Sequence, residues 1–161
     1  MKWLSWLTVT GALLAGPMSA TADDPPDKLK VELSRSEKAI LDLTNQAREK
    51  AKLAPLKPHP VLCQMARAHS KNMAMQEKLA HELDGKDPGK RAQDAGYKFA
   101  YLGENIAAGD DLSAAEAFKL WMNSPQHKDN MLKPEFNQIG IGIYKNDKGQ
   151  VYYTQVFGTE P

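Results

Sequence analysis

Near its C-terminal end the chain reads Gln138-Ile-Gly-Ile-Gly-Ile-Tyr-Lys145, and a second alternating stretch runs from Gln150 to Phe157. In the first stretch isoleucine occupies every second position, a period of two that is typical of a β-strand. Between the stretches, Asn146-Asp147-Lys148-Gly149 has the composition of a turn. The sequence therefore predicts a β-hairpin close to the end of the chain.

Helices are predicted upstream of this hairpin. A capping box at Ser34 begins the first, over residues 34–52, and a second with apolar residues at helical spacing covers 60–78. A third covers 113–122, and a short fourth starts at Ser124-Pro125. Residues 79–112 are glycine-punctuated and read as an irregular functional region. Helices first and a hairpin last predict an α+β domain with helices packed on a small sheet.

The composition is that of one globular domain. The chain has 161 residues, of which 42% are apolar and 25% charged, and its formal net charge is +1. The sequence has no run of like charges of the kind that binds nucleic acid, so a nucleic-acid-binding protein is excluded. The single cysteine, Cys63, cannot form an intramolecular disulfide. Its apolar, helical context predicts a small buried core residue and not a reactive thiol.

The first residues have the pattern of a secretory signal peptide. After a positively charged start, Trp3 to Gly16 is uncharged and mostly apolar, and Ala20-Thr21-Ala22 supplies small residues for cleavage. We expect residues 1–22 to be the signal peptide, 23–35 a flexible lead-in and 36–158 the folded domain. This organisation predicts a secreted or periplasmic protein whose mature chain has no transmembrane segment. The alternative is an uncleaved membrane anchor.

Four polar residues in the second half of the chain are candidates for a site: His81, Glu104, Glu116 and His127. Two imidazoles and two carboxylates could hold a divalent metal such as zinc, or could form an acid/base group. Their spacing alone does not choose between these. Each also has a structural explanation, since Glu116 follows Ser113 by three residues and could complete a capping box.

The other histidines and the standard catalytic motifs offer no further site. His69 lies on the apolar face of the second helix and is expected in the core, whereas His59 is expected in an exposed loop between two prolines. His81-Glu82 begins like the zinc-protease motif HExxH, but Gly85 stands where the second histidine would be. Neither a G-x-S-x-G elbow nor a P-loop occurs in the sequence.

The order of several short motifs resembles the CAP superfamily, the domain shared by cysteine-rich secretory proteins, antigen 5 and plant pathogenesis-related 1 proteins. The motifs are, in chain order, Asn45-x-x-Arg48, His81, Gly103-Glu104-Asn105-Ile106, Glu116 with Trp121, Ser124-Pro125-x-His127, Gly140-Ile141-Gly142 and Thr154-Gln155-Val156-Phe157. They fall within residues 36–158 and are most similar to the bacterial, disulfide-free SCP-like branch.

This resemblance implies an α-β-α sandwich, with a small antiparallel sheet flanked by helices and a central cleft. In the family two histidines and two acids line that cleft, and His81, His127, Glu104 and Glu116 match them. We therefore expect His81 and His127 to bind a divalent cation such as zinc while the two carboxylates hold a bound water. The cysteine-rich extension of animal members is missing, so ion-channel modulation is not implied.

Three functions remain open from the sequence. The first is a non-enzymatic exported binding module, a monomer whose cleft holds a divalent cation and a small-molecule, lipid or peptide ligand. The alternative is a metal-assisted hydrolase acting on protein or cell-envelope polymer, and a third is a purely structural envelope protein. The lack of a nucleophile motif and of a third clear protein ligand favours the binding module. No catalytic residue is assigned.

Overall fold

The computed structural model describes residues 31–161, so the signal peptide predicted for residues 1–22 and most of the lead-in lie outside it. In chain order the elements are α1 (Arg35–Lys50), β1 (Lys57–Pro58), α2 (Pro60–Gln76), α3 (Pro88–Asp94), β2 (Tyr101–Asp110), α4 (Ala114–Met122), α5 (Pro125–Met131), β3 (Gln138–Lys145) and β4 (Gln150–Thr159). Within these described residues, none of the helices has the length and apolar character needed to cross a membrane.

The predicted helix starts are confirmed, and their caps explain why. Ser34 accepts a hydrogen bond from the Glu37 amide over 3.2 Å, and the Glu37 carboxylate accepts one from the Ser34 amide over 2.8 Å. Ser113 and Glu116 form the same reciprocal pair at the start of α4. Helix α5 begins with proline at its first position, as expected.

The sheet has the strand order β1-β3-β4-β2. The predicted hairpin is confirmed as β3 and β4, which pair antiparallel from Gln138↔Gly158 to Lys145↔Val151. Strand β2 pairs antiparallel with the other side of β4. The small sheet is thus antiparallel as expected, except that the short strand β1 pairs parallel with β3.

Residues 79–112 are not irregular, and this part of the prediction was wrong. They contain α3 and all ten residues of β2. Strand β2 escaped detection because its centre, Gly103-Glu104-Asn105, combines glycine with polar residues that sequence patterns assign to turns. These polar side chains are buried because each has partners inside the protein, so the usual hydrophobic alternation is missing.

Side chains of β4 alternate between two helical layers, and this confirms the α-β-α sandwich. Val156 packs in a core with Leu62 of α2 and with Tyr97. The next residue, Phe157, faces the layer of α1, α4 and α5 and stacks on Phe136 with 5.5 Å between ring centroids. Since successive strand residues point to opposite faces, each layer receives its own apolar core.

The glycines of the Ile-Gly repeat let α2 lie directly on β3. A Cβ atom added to Gly140 would be 2.0 Å from the carbonyl carbon of Leu62, and one added to Gly142 would be 2.2 Å from that of Ala66. Neighbouring Cys63 is buried against the same strand, as predicted for a core residue. Burial raises the pKa of its thiol, which keeps the sulfur protonated.

Candidate functional site

The candidate site is organised around β2, a strand at the edge of the sheet. Glu104 and Asn105 follow one another on this strand, so their side chains point to opposite faces. Glu104 reaches the layer of α2 and α3, where it contacts His69, His81 and Arg91. Asn105 reaches the other layer, where it contacts α5. The strand thereby connects groups from both helical layers.

The Glu104 carboxylate is held by partners on both of its oxygens. Its Oε1 accepts a hydrogen bond from His81 Nδ1 over 2.8 Å, and its Oε2 accepts one from an Arg91 guanidinium nitrogen over 2.5 Å. Arg91 also donates to the His81 carbonyl oxygen over 2.7 Å. The Glu104 carboxylate is only 1% exposed, and the positive charge of Arg91 neutralises it. It in turn orients the ring of His81, whose side chain is 50% exposed. Because Nδ1 carries this bond, Nε2 of His81 remains for a ligand.

His127 reaches the same region from α5. The pKa of its imidazole is lowered, first by burial and then by the positive charge of a protonated His81. The ring is therefore neutral near pH 7. Its backbone carbonyl accepts a hydrogen bond from the Asn105 side chain over 2.9 Å, and Asn105 in turn accepts one from Asn130 over 2.9 Å.

Glu116 lies in the first turn of α4 and is exposed. Its carboxylate accepts hydrogen bonds from the Ser113 amide over 2.9 Å and from the Ser113 hydroxyl over 2.6 Å. These bonds lower the pKa of Glu116. The structure thus joins His81 directly to Glu104, makes the pKa of His127 sensitive to His81, and joins Glu116 to its own helix cap.

Two residues around Glu104 were not singled out as site residues. Arg91 comes from the short helix inside the segment predicted to be irregular, so nothing marked it. His69 was predicted in the core, and this is confirmed, since it is 1% exposed. Its Nε2 donates to the Ala80 carbonyl over 3.0 Å and lies 3.8 Å from Glu104 Oε1. The core prediction was right, but it did not reveal this contact.

His59 lies in the link between β1 and α2, as predicted, but the exposure predicted for it was wrong. The ring is half-buried at the start of α2 and packs edge-on against Tyr97, with 5.1 Å between ring centroids. Flanking prolines suggested an exposed loop, but one of them is the first residue of α2. His59 therefore belongs to the packing between α2 and its neighbours.

The donor set fits a divalent cation only in part. In the segment from residue 31 onward, no group of three or more His, Cys, Asp or Glu side chains is arranged to hold a metal ion. The two imidazoles of His81 and His127 are available as nitrogen ligands, whereas the carboxylates of Glu104 and Glu116 are engaged by other residues. A cation here would take its remaining ligands from water or from a bound molecule.

Comparisons with known proteins agree with this architecture. Residues 41–157 match the model of the CAP family, described as the cysteine-rich secretory protein family. The uncharacterised protein YkwD of Bacillus subtilis is 32% identical over 143 residues, which are 88% of this chain and 54% of that protein. An extracellular protein containing a SCP domain from Bacillus anthracis is 30% identical with a TM-score of 0.71, over 81% of this chain and 45% of that one. The chain thus spans about half the length of each Bacillus protein.

A more distant structure is that of NaASP2 with Zn²⁺. It is 15% identical with a TM-score of 0.57, over 78% of this chain and 80% of that one, and so it shows the fold alone. The family model, the Bacillus relatives and the α-β-α architecture agree with the motif order read from the sequence. The chain belongs to the CAP, or cysteine-rich secretory protein, family.

Proposed function

We propose that this CAP-domain protein is an exported, non-enzymatic binding module in which His81 and His127 hold a divalent cation such as zinc. The observation that carries the proposal is the 2.8 Å hydrogen bond from His81 Nδ1 to the buried Glu104 carboxylate. In histidines that bind metals, the N–H of the other ring nitrogen usually donates a hydrogen bond to such a carboxylate. This bond fixes the tautomer and the orientation of the ring. This arrangement presents Nε2 of His81 as the metal ligand.

The second ligand in the proposal is His127. A metal needs a neutral imidazole, and the lowered pKa of His127 keeps its ring in that form at neutral pH. Two nitrogen ligands leave coordination positions for water and for an oxygen of a small-molecule, lipid or peptide ligand. We give Glu116 the weaker role of the two acids, a negative charge near the cleft, because its carboxylate already caps α4.

Export and a monomeric state are part of the same proposal. Residues 1–22 have the pattern of a signal peptide. The Bacillus anthracis relative is described as an extracellular protein. Intact-mass analysis of secreted material should show a chain that begins at Asp23, or at Thr21 if cleavage follows Ala20. Secreted material that keeps residues 1–20 would contradict cleavage.

Isothermal titration with zinc at pH 7.5 and pH 5.5 tests the metal site. If both histidines are direct ligands, the affinity should fall by up to about a hundredfold per pH unit once both are mostly protonated, because two protons are displaced per ion. The variant His81→Ala/His127→Ala should lose binding, and His59→Gln should keep it. Equal affinity at both pH values, or an unchanged affinity in the double variant, would contradict the proposal.

The non-enzymatic part of the proposal has its own test. Zinc-loaded protein should leave casein and purified cell-envelope polymer intact over hours, because a zinc-bound water would find no free carboxylate to take its proton: Glu104 is held by His81 and Arg91, and Glu116 caps α4. Zinc-dependent hydrolysis that disappears in His81→Ala would instead establish the metal-assisted hydrolase.

A further inference from the structure

A groove of about 730 Å³ lies between α2, α3 and the loop that joins them. Its apolar wall includes Met65 and Ala68 of α2 and Leu83 of the loop, and its polar wall includes His69 and Arg91. The volume is within the range of about 300–1,000 Å³ that is typical of small-molecule sites. His69 and Arg91 both adjoin Glu104, but no step of the proposed cation binding uses this groove.

Two of these polar residues each have a buried nitrogen atom with no hydrogen-bond partner among residues 31–161: His69 Nδ1 and Arg91 Nε. His69 Nε2 must carry a hydrogen, since it faces the Ala80 carbonyl, which can only accept. Burial lowers the pKa of His69, so the ring is neutral and its Nδ1 presents a bare lone pair. Arg91 Nε always carries a hydrogen. These two residues of the wall therefore supply one unpaired acceptor and one unpaired donor.

Buried donors and acceptors such as these two nitrogens are expected to have hydrogen-bond partners. Leaving a buried donor or acceptor unsatisfied costs about 1–3 kcal/mol, and the great majority of buried polar atoms in proteins are paired. The positive charges nearby are already neutralised, because Arg91 pairs with Glu104 over 2.5 Å and Lys86 pairs with Asp94 over 2.7 Å. An anion would gain little here and would be repelled by the His69 lone pair. The groove is therefore suited to an uncharged group that both donates and accepts.

We propose that this groove binds a short uncharged peptide, in which one amide N–H donates to His69 Nδ1 and the carbonyl oxygen of a neighbouring amide accepts from Arg91 Nε. The apolar wall of Met65, Ala68 and Leu83 then packs against the adjacent side chain of the peptide. This site does not depend on a metal at His81. Loss of zinc binding and loss of amide binding are thus separate results.

Nuclear magnetic resonance with a matched pair of probes tests this site. The first probe is N-acetyl-alanine N-methylamide, and the second is its ester analogue, in which both N–H groups are replaced by oxygen. The amide should shift the Arg91 Nε–H and His69 ring-nitrogen resonances in a saturable way. The ester should bind at least about tenfold more weakly, since it cannot donate to His69.

Two variants on α2 serve as a matched pair. Ala68→Trp places a bulky ring in the groove and should abolish the saturable shifts, whereas Lys71→Trp adds the same ring to an exposed position outside the groove and should preserve them.

Arg91→Lys removes the Nε–H but keeps a positive charge beside Glu104, and it should weaken amide binding about tenfold. Equal binding of amide and ester, unchanged binding in Ala68→Trp, or a long-lived water on both nitrogens that the amide does not displace would overturn the proposal.

Discussion

The indole nitrogen of Trp121 donates a hydrogen bond to the backbone carbonyl of Ile106 over 3.0 Å, which ties α4 to the edge strand β2. The Asn130 side chain makes a similar bond from α5 to the carbonyl of Glu104 over 3.2 Å. Edge strands present unpaired backbone groups that must be satisfied or covered. Two side-chain donors therefore fix the strand that carries Glu104 to the layer that carries His127.

Replacing Trp121 should show how much this contact stabilises the fold. The indole is 1% exposed, and it packs edge-on against Tyr153 with 6.4 Å between ring centroids. Trp121→Ala should lower the free energy of unfolding by about 3–5 kcal/mol. Trp121→Phe keeps a ring but leaves the Ile106 carbonyl without its donor, and it should cost about 1–3 kcal/mol.

Urea unfolding followed by circular dichroism measures these changes, because the substitutions remove the tryptophan that fluorescence would report. The matched control is Leu120→Ala, at the neighbouring position, which is 52% exposed and should change stability by less than about 1 kcal/mol. Equal losses for Trp121→Ala and Leu120→Ala would show that Trp121 is not the anchor of α4.

Most of the fold could be predicted from patterns among neighbouring residues in the sequence. The hairpin could be predicted because Ile139, Ile141 and Ile143 occupy every second position. The starts of α1 and α4 could be predicted because a capping box consists of residues within four consecutive positions. Strand β2 was missed because its stability comes from tertiary partners of Glu104 and Asn105. Neither partnership can be read from neighbouring residues.

The candidate site shows the same limit. The family resemblance selected His81 and Glu104, which the structure places 2.8 Å apart. It could not select Arg91, because the ion pair with Glu104 joins a short helix to a strand and follows no sequence period. For Glu116 two interpretations were open, and the structure records the helix cap with Ser113.

The Ile-Gly repeat should not tolerate a methyl group at Gly140. An added Cβ would lie 2.0 Å from the Leu62 carbonyl carbon, which is backbone and cannot move aside without displacing α2. Gly140→Ala should therefore cost at least about 3 kcal/mol or abolish folding. Gly109→Ala is the control, since its Cβ would meet the Leu112 side chain at an ordinary 3.4 Å. Urea midpoints that fall equally in both variants would contradict the direct packing of α2 on β3.

Arg48 should be needed for its shape as well as its charge. Arg48 is 1% exposed, and within residues 31–161 its guanidinium donates only to backbone carbonyl oxygens, which are those of Ala54, Met131, Lys133 and Phe136. A lysine cannot reach this set of acceptors with one nitrogen. Arg48→Lys should lower the free energy of unfolding by about 2–4 kcal/mol and speed hydrogen exchange at the end of α5. Exposed Arg35→Lys is the control, and similar exchange rates in the two variants would refute this role.

Because of Glu37, the free energy of unfolding should depend on pH in the acid range. Burial alone would raise the pKa of its carboxyl, but hydrogen bonds from Arg67 and Ser34 outweigh burial and lower it from the ordinary value of 4.5. Because the folded pKa lies below the unfolded one, the stabilisation is present above about pH 4.5 and is lost as the pH falls through the folded pKa.

Glu37→Gln should therefore cost about 1 kcal/mol at pH 7, a modest value because Arg67 is 43% exposed and the pair is partly screened. The difference from the unaltered protein should shrink at pH 3. Asp42→Asn, which breaks the exposed pair with Lys38 on the same helix, should change stability by no more than about 0.5 kcal/mol. A Glu37→Gln difference that stays constant from pH 7 to pH 3 would contradict the assignment.

Asn130 should control zinc binding without being a ligand. It donates to Asn105, which holds the His127 carbonyl, so the position of His127 depends on a chain of two 2.9 Å hydrogen bonds. Asn130→Ala breaks this chain while both imidazoles remain. Residues that only orient a metal ligand usually change affinity by about 10–100-fold, and we expect about a tenfold loss here.

The pKa of His127, followed by nuclear magnetic resonance, separates positioning from general destabilisation. If Asn130→Ala loosens α5, the ring gains solvent and its lowered pKa should rise toward the ordinary value of 6.5, in a protein that remains folded. Gln126→Ala, an exposed change on the same helix, should leave both the affinity and the pKa unaltered. If the zinc affinity of Asn130→Ala falls while the pKa of His127 stays fixed, the loss arises elsewhere, and the hydrogen-bond chain through Asn105 does not set the position of the imidazole.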